Sequence, residues 1–296
     1  MDEVTIASQG LSVVVARQGA ELQSLRLLHD DGSEGLELLW QAGPQWRRRA
    51  PVLFPVVGKV ADDEVIVDGR RYPMGQHGFA RDLPHEVLEA SPSRVVLRLA
   101  DDGTTREHYP FGFALTTTFE VQGRSLTARW AVETTGETPM PFSLGWHPAF
   151  RWPLAPGVPK GKHVVLFEEP EPADVRRVRG GPLTEPVPTP VLGDLLPLSD
   201  GLFSDDAVVF DDLRSTAVTF TGPGAPTLRL HLDGFPQLGV WSRPTGADFL
   251  CLEPWAGLAS PEGWQGELRD KPYGQVVAPG EVFEVGCTVT VERPGS

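Results

Sequence analysis

The chain carries only two cysteines, Cys251 and Cys287, in 296 residues. So few thiols argue against a disulfide-built secreted scaffold and for two free thiols in a reducing compartment. No CxxC pair and no Cys/His cluster suggests a zinc site, and no metal is expected. No apolar run approaches the roughly 20 residues that a membrane helix needs. The opening MDEVTIASQG has neither a basic start nor an apolar stretch, so a signal peptide is not expected and a cytoplasmic location is. Positive charge is also scarce. Lys and Arg number 26 against 40 Asp and Glu, a net charge of -14. Such a surface repels phosphate backbones and anionic lipid, so neither nucleic acid nor a membrane surface is an expected partner. Long helical windows are missing as well, because 32 glycines and 29 prolines interrupt the chain.

What is present is period-2 alternation. Leu126, Ala128, Trp130 and Val132 share one face of SLTARWAVET. Phe111, Phe113, Leu115, Thr117, Phe119 and Val121 do the same in FGFALTTTFEV. The glycine-containing QGR at 122–124 joins the two runs into a predicted β-hairpin. The runs 93–100, 227–235 and 283–292 alternate too, and residues 5–28 read as strands split by Gly10 and Gly19. Many short strands with frequent turn signals predict an all-β sandwich or barrel. Residues 153–201 are rich in Pro, Gly and charge, but HVVLFEEP within them reads as a strand. The expectation is long loops inside one domain spanning 1–296.

Four segments mix ionisable groups with aromatics, Gly and Pro, as a pocket wall does. They are RRRAPVLFPVVGK (47–59), GQHGFARD (75–82), SLGWHPAF (143–150) and FLCLEPWAG (249–257). They hold His77, His147 and Glu253. Alone, each histidine has a plain structural reading as a hydrogen-bonded loop or core residue. Glu253 reads as a carboxylate at the end of an apolar strand, which is costly if buried unpaired and free of cost if exposed. Burial would raise its pKa and suit it to proton transfer. His29 and His163 sit in polar turns, His85 and His108 flank strands, and His231 is expected on a polar strand face. There is no GxGxxG, P-loop, HExxH or GxSxG. Two histidines and a glutamate suit acid–base chemistry without a cofactor.

In this order, LFPVVGK, QHGFARD, GWHPAF and CLEPWAG resemble the aldose 1-epimerase (galactose mutarotase-like) family. GAELQSLRL followed by LELLW is similar to that family's N-terminal region. The resemblance implies a large one-domain β-supersandwich with few short helices. It implies interconversion of the α and β anomers of an aldose, a small-molecule sugar as partner, and a monomer or homodimer. The family's catalytic residues fall on His77, His147 and Glu253, with Glu253 as general base, His147 as general acid, and His77 binding the ring oxygen or a neighbouring hydroxyl. Asp206 matches a substrate-binding aspartate, and Trp146, Phe79, Trp241 and Trp255 are candidates for an apolar face under the sugar. The galactose-specific branch carries an Asn-Arg pair that GKVADDEV lacks. Arg47 and Arg81 match two arginines of the branch acting on hexose 6-phosphates, and Arg48 and Arg49 add charge. Those arginines are either a phosphate clamp or solvent-facing partners of the abundant acids. A free hexose and a phosphorylated one therefore both stay open, as does a carbohydrate-binding protein without turnover.

Overall fold

The computed structural model describes residues 2–178 and 180–294. Strands dominate, and Gly103–His108 is the one α-helix among the described residues. Asp102 starts that helix with a capping box, accepting from the Thr105 amide while Thr105 reaches back to the Asp102 amide. The predicted hairpin is present as Phe113–Gln122 and Ser125–Thr134, turning at Gly123 with φ 57°. Its inward residues Leu115, Phe119, Leu126, Ala128 and Val132 are fully buried, as the alternation requires.

This hairpin lies within a nine-stranded antiparallel sheet. The order is Leu195–Pro197, Val164–Phe167, Ala217–Thr221, Thr227–Asp233, Val282–Glu292, Ser125–Thr134, Phe113–Gln122, Arg94–Ala100, Glu86–Ala90. A second sheet runs Arg176–Arg177, Val208–Phe210, Gln237–Trp241, Phe249–Ala256, Leu144–Trp146, Val52–Leu53, with Ala149–Arg151 also paired to Phe249–Ala256. The two sheets pack face to face. Trp130 of the first lies 5.5 Å from Trp146 of the second, and Phe167 of the first 4.9 Å from Phe210 of the second, between ring centroids. One hydrophobic cluster joins them, drawing residues from Ile6 to Val291. A four-stranded sheet from Glu3–Ala7 to Leu36–Glu37 adds to the same cluster.

Among its described residues the segment 153–201 holds three short strands, Val164–Phe167, Arg176–Arg177 and Leu195–Pro197. One histidine departs from the sequence reading, and another, which flanks the strand Glu86–Ala90 as expected, is buried as well. His163 is buried rather than in a polar turn; its Nε2 accepts from the Leu154 amide at 3.2 Å and its ring packs on Phe220. His85 is fully buried with Nε2 3.1 Å from the Ala80 carbonyl. His231 points outward as expected. Cys251 and Cys287 are both free and buried.

Candidate active site

Phe249–Ala256 is buried along its whole length because both of its faces are covered. Alternation turns Leu250, Leu252 and Ala256 into the main core. It turns Phe249, Cys251, Glu253 and Trp255 to the opposite face, beside Trp241 and Val209 of neighbouring strands. Glu253 is therefore not at a strand end, as its setting in the sequence suggested. The strand continues through Pro254 to Ala256, and Glu253 is only 1% exposed.

The neighbouring chain is broken in two. Leu144–Trp146 and Ala149–Arg151 both run antiparallel to Phe249–Ala256. Gly145 pairs with Trp255 and Ala149 with Cys251, so the same register sets His147 across from Glu253. His147 Nε2 lies 3.1 Å from Glu253 Oε2. The contact is close but not an aligned hydrogen bond, since Glu253 Oε2 has no hydrogen-bond partner; His147 Nδ1, on the other side of the ring, has none either. Trp46 stacks on the imidazole at 4.8 Å, and Trp241 meets it edge-on at 5.7 Å.

His77 comes from a separate loop and lies with its ring 5.7 Å from that of His147. Its backbone is left-handed, φ 67°, followed by Gly78 at φ 68°. Only glycine fits at 78, because a Cβ there would stand 2.2 Å from the Phe54 carbonyl oxygen. The Gly58 amide donates to His77 Nδ1 at 3.1 Å. With Nδ1 held as an acceptor, neutral His77 carries its proton on Nε2.

These groups line a cavity of about 450 Å³, within the roughly 300–1,000 Å³ range of small-molecule sites. Asp206, Trp241, Trp255 and Arg81 share it. Asp63, His77 and Asp206 are positive-φ residues other than glycine, and all three line this cavity. Such strain gathers where a structure holds functional groups in place. Arg81 Nε, His147 Nδ1 and Glu253 Oε2 are buried polar atoms without an aligned hydrogen bond, while the Trp241 and Trp255 indole N–H groups face the Asp206 and Glu253 carboxyls. Leaving a buried polar group unpaired costs roughly 1–3 kcal/mol, so their gathering in one cavity marks a place for a polar ligand.

The electrostatics follow from burial. The Glu253 carboxyl is pushed well above the usual carboxylate range by burial and then by the Asp206 carboxylate. His147 is pulled down to about 3 by burial, with Arg81 adding like-charge repulsion. His77 is pulled well below its ordinary 6.5 by burial, then by His147 and Arg81. Burial and Arg48 lower Arg81 to about 10. Asp206 is raised by burial, and its carboxylate accepts from the Ala207 amide at 2.9 Å. His147, Cys251 and Glu253 also bring three potential metal-ligand atoms within 4.8 Å of one another.

Of the residues singled out in the sequence, His77, Arg81, His147, Asp206, Trp241, Glu253 and Trp255 meet at this cavity. Arg47 and Arg49 do not line it. Arg47 is exposed, and Arg49 donates to the Gln23 side chain at 2.6 Å. Arg48 pairs with Asp82 at 2.6 Å. Arg81 turns into the cavity, while Arg47 is exposed and outside its lining. Arg151 is exposed and outside the cavity. Trp146 and Phe79 belong to the core, where Trp146 donates to the Ala50 carbonyl at 3.2 Å. Trp46, Lys59, Asp63 and Gln76 line the cavity without having been singled out. Lys59 and Gln76 lay inside two of the four segments, and Trp46 directly precedes one. Lys59 is 3.6 Å from Asp63.

Residues 2–261 match the model of the aldose 1-epimerase family. The chain belongs to that family. This aldose 1-epimerase family member is 30% identical over 303 residues to the plasmid-encoded protein LacX of Lactococcus lactis, spanning 97% of this chain and 99% of that one. It is similar to the structure of a galactose mutarotase related enzyme from Lactobacillus acidophilus, with TM-score 0.89, 31% identity and coverage of 99% and 98% of the two chains. It is also similar to a galactose mutarotase-like protein from Lactobacillus casei, with TM-score 0.88, 28% identity and coverage of 98% and 100%. Its fold is therefore galactose mutarotase-like. No helix among the described residues is long and apolar enough to cross a membrane.

Proposed function

We propose that this chain is a cofactor-independent aldose 1-epimerase that exchanges the α and β anomers of a hexose. The 3.1 Å approach of His147 Nε2 to Glu253 Oε2, inside the cavity that His77 also faces, carries the reading. Anomer exchange needs a proton removed from the C1 hydroxyl and a proton given to the ring oxygen. Both oxygens are bonded to C1, so the base and the acid that serve them must be neighbours. A carboxylate and an imidazole in contact meet that demand.

In this mechanism His147 and Glu253 share one proton between them. Burial favours the uncharged arrangement, with the proton on Glu253. Its transfer from Oε2 to Nε2 arms the pair, leaving Glu253 as base and His147 as acid. Glu253 takes the C1 hydroxyl proton as the C1–O bond becomes a carbonyl. The C1–ring oxygen bond breaks, and His147 protonates that oxygen. Rotation about C1–C2 presents the other face, and the same steps run backward to close the ring. His77 donates from Nε2 to the ring oxygen or a neighbouring hydroxyl and holds the sugar. Each placed proton-transfer group contributes roughly 10²–10⁴-fold in rate. The indole N–H groups of Trp241 and Trp255 and the carboxylate of Asp206 supply partners for sugar hydroxyls. Trp46 and Trp241 bring flat apolar surface and exclude water. Residues 1–296 are taken as one domain, which the hydrophobic cluster from Ile6 to Val291 supports.

A free hexose is favoured over a hexose 6-phosphate, because Arg81 is the one arginine of the expected clamp that lines the cavity among the described residues. The test is polarimetry on freshly dissolved α-D-glucose, α-D-galactose and glucose 6-phosphate. At least one free hexose is expected to relax faster with the protein present. No acceleration across a broad aldose panel sinks the enzymatic reading and leaves a sugar-binding protein.

A further inference from the structure

We propose that His147, Cys251 and Glu253 form a binding site for a thiophilic divalent cation, zinc above all, and that its occupation blocks the proton-transfer pair. Cys251 and Glu253 stand two residues apart on one face of Phe249–Ala256, and His147 faces Glu253 from the broken neighbouring strand. All three are buried, and one sulfur, one nitrogen and one oxygen donor lie within 4.8 Å of one another. The proposed anomer exchange gives Cys251 no role.

The donor set suits zinc. A thiolate, an imidazole and a carboxylate supply three protein ligands, and the fourth position would open to the cavity. Zinc bonds of about 2.0–2.3 Å put neighbouring donors of a tetrahedral site about 3.5 Å apart. The nitrogen and oxygen already stand 3.1 Å apart. The Cys251 sulfur, within 4.8 Å of the other donors, must close on them to about 3.5 Å. Glu253 Oε2 is buried with no aligned hydrogen bond, its nearest polar contact being His147 Nε2 at 3.1 Å, so coordination would satisfy both atoms at once. Binding displaces the Cys251 thiol proton and the Glu253 carboxyl proton to solvent, and the cation replaces them as counter-charge. Arg81 in the same cavity opposes a cation, whereas Asp206 favours one. Once held by zinc, Glu253 cannot accept a proton and His147 cannot donate one.

The binding half of this proposal does not depend on the enzymatic reading, and the test separates the two. Chelator-treated protein is titrated with Co²⁺, without sugar, and followed by absorption. The wild type and a Cys287→Ser control are expected to bind one Co²⁺ with a thiolate-to-cobalt charge-transfer band. Cys251→Ser and Cys251→Ala are expected to lose that band. On whichever sugar responds, Zn²⁺ should slow anomer exchange in the wild type. The two Cys251 variants should keep the metal-free rate and need at least about tenfold more Zn²⁺ for the same inhibition. The proposal is overturned if the wild type shows no thiolate band. It is equally overturned if the Cys251 variants bind Co²⁺ and respond to Zn²⁺ as the wild type does.

Discussion

His77 and Gly58 hold each other through two hydrogen bonds. The His77 amide donates to the Gly58 carbonyl at 2.8 Å, and the Gly58 amide donates to His77 Nδ1 at 3.1 Å. Gly58 itself has φ 70°, and a Cβ there would lie 2.5 Å from the Cβ of Ala259. The position and tautomer of the histidine thus depend on a glycine pressed against the segment that follows the Glu253 strand.

Gly58→Ala should disturb this bracket. A forced left-handed alanine with a methyl clash is expected to cost about 1–3 kcal/mol of stability. Sugar turnover should fall by at least about tenfold as His77 is displaced. Adding Ala259→Gly removes only the side-chain contact and leaves the Ala259 Cα and N at 2.8 and 3.0 Å from the new methyl, so it should restore little of either loss. Denaturant unfolding and polarimetry report the two effects, and a Gly58→Ala protein with wild-type stability and rate contradicts the bracket.

Glu253→Gln keeps the shape of the side chain and removes the base. Its kcat should fall by roughly 10²–10⁴-fold, with sugar affinity much less affected. Full activity in this variant means that another group takes the C1 hydroxyl proton.

The pH profile has a definite sign. His77 and His147 are both held below 6.5, His147 at about 3, and Glu253 is held high. Both histidines therefore stay uncharged around pH 6.5. kcat/KM should show no acid limb centred at 6.5 between pH 5 and 8. A limb at that position identifies an ordinary, solvent-exposed histidine as the acid and contradicts the assignment.

Arg47 is exposed and outside the cavity, so Arg47→Ala should leave rates on free and phosphorylated hexoses within about twofold. A loss confined to the 6-phosphate brings back the clamp.

Lys271 is 4% exposed, donates to the Leu258 carbonyl, and is pulled down to about 8 by burial. Between pH 8 and the ordinary lysine value the unfolded chain binds more protons than the folded one, so stability from this group rises with pH. Relative to Lys271→Met, the wild type should gain up to ~3 kcal/mol across that window. Urea unfolding at several pH values measures the gap, and a gap that stays constant shows that Lys271 is not held down in the folded state.

The strands were legible because alternation is a local property. The turn at Gly123 and the burial of Leu126 and Val132 follow from neighbours in the chain. The four segments that line the cavity were legible too, since each mixes aromatics with a titratable group. Trp46 was hidden by the three arginines after it, and His163 by the prolines and lysines around it.

By itself the sequence determined the fold class and the segments that carry most of the titratable residues of the cavity. Residue type and period-2 spacing are written locally, and the apolar face of each strand must find cover. Only the tertiary structure decided which of those residues meet. The register of two strands a hundred positions apart sets His147 against Glu253. The break between Leu144–Trp146 and Ala149–Arg151 puts His147 at the cavity. Burial from both faces moves the protons of Glu253, His147 and His77. Arg47 and Arg81 look equivalent in the sequence, yet one stands in solvent and the other in the cavity. The direction of a side chain belongs to the packed fold, which composition does not encode.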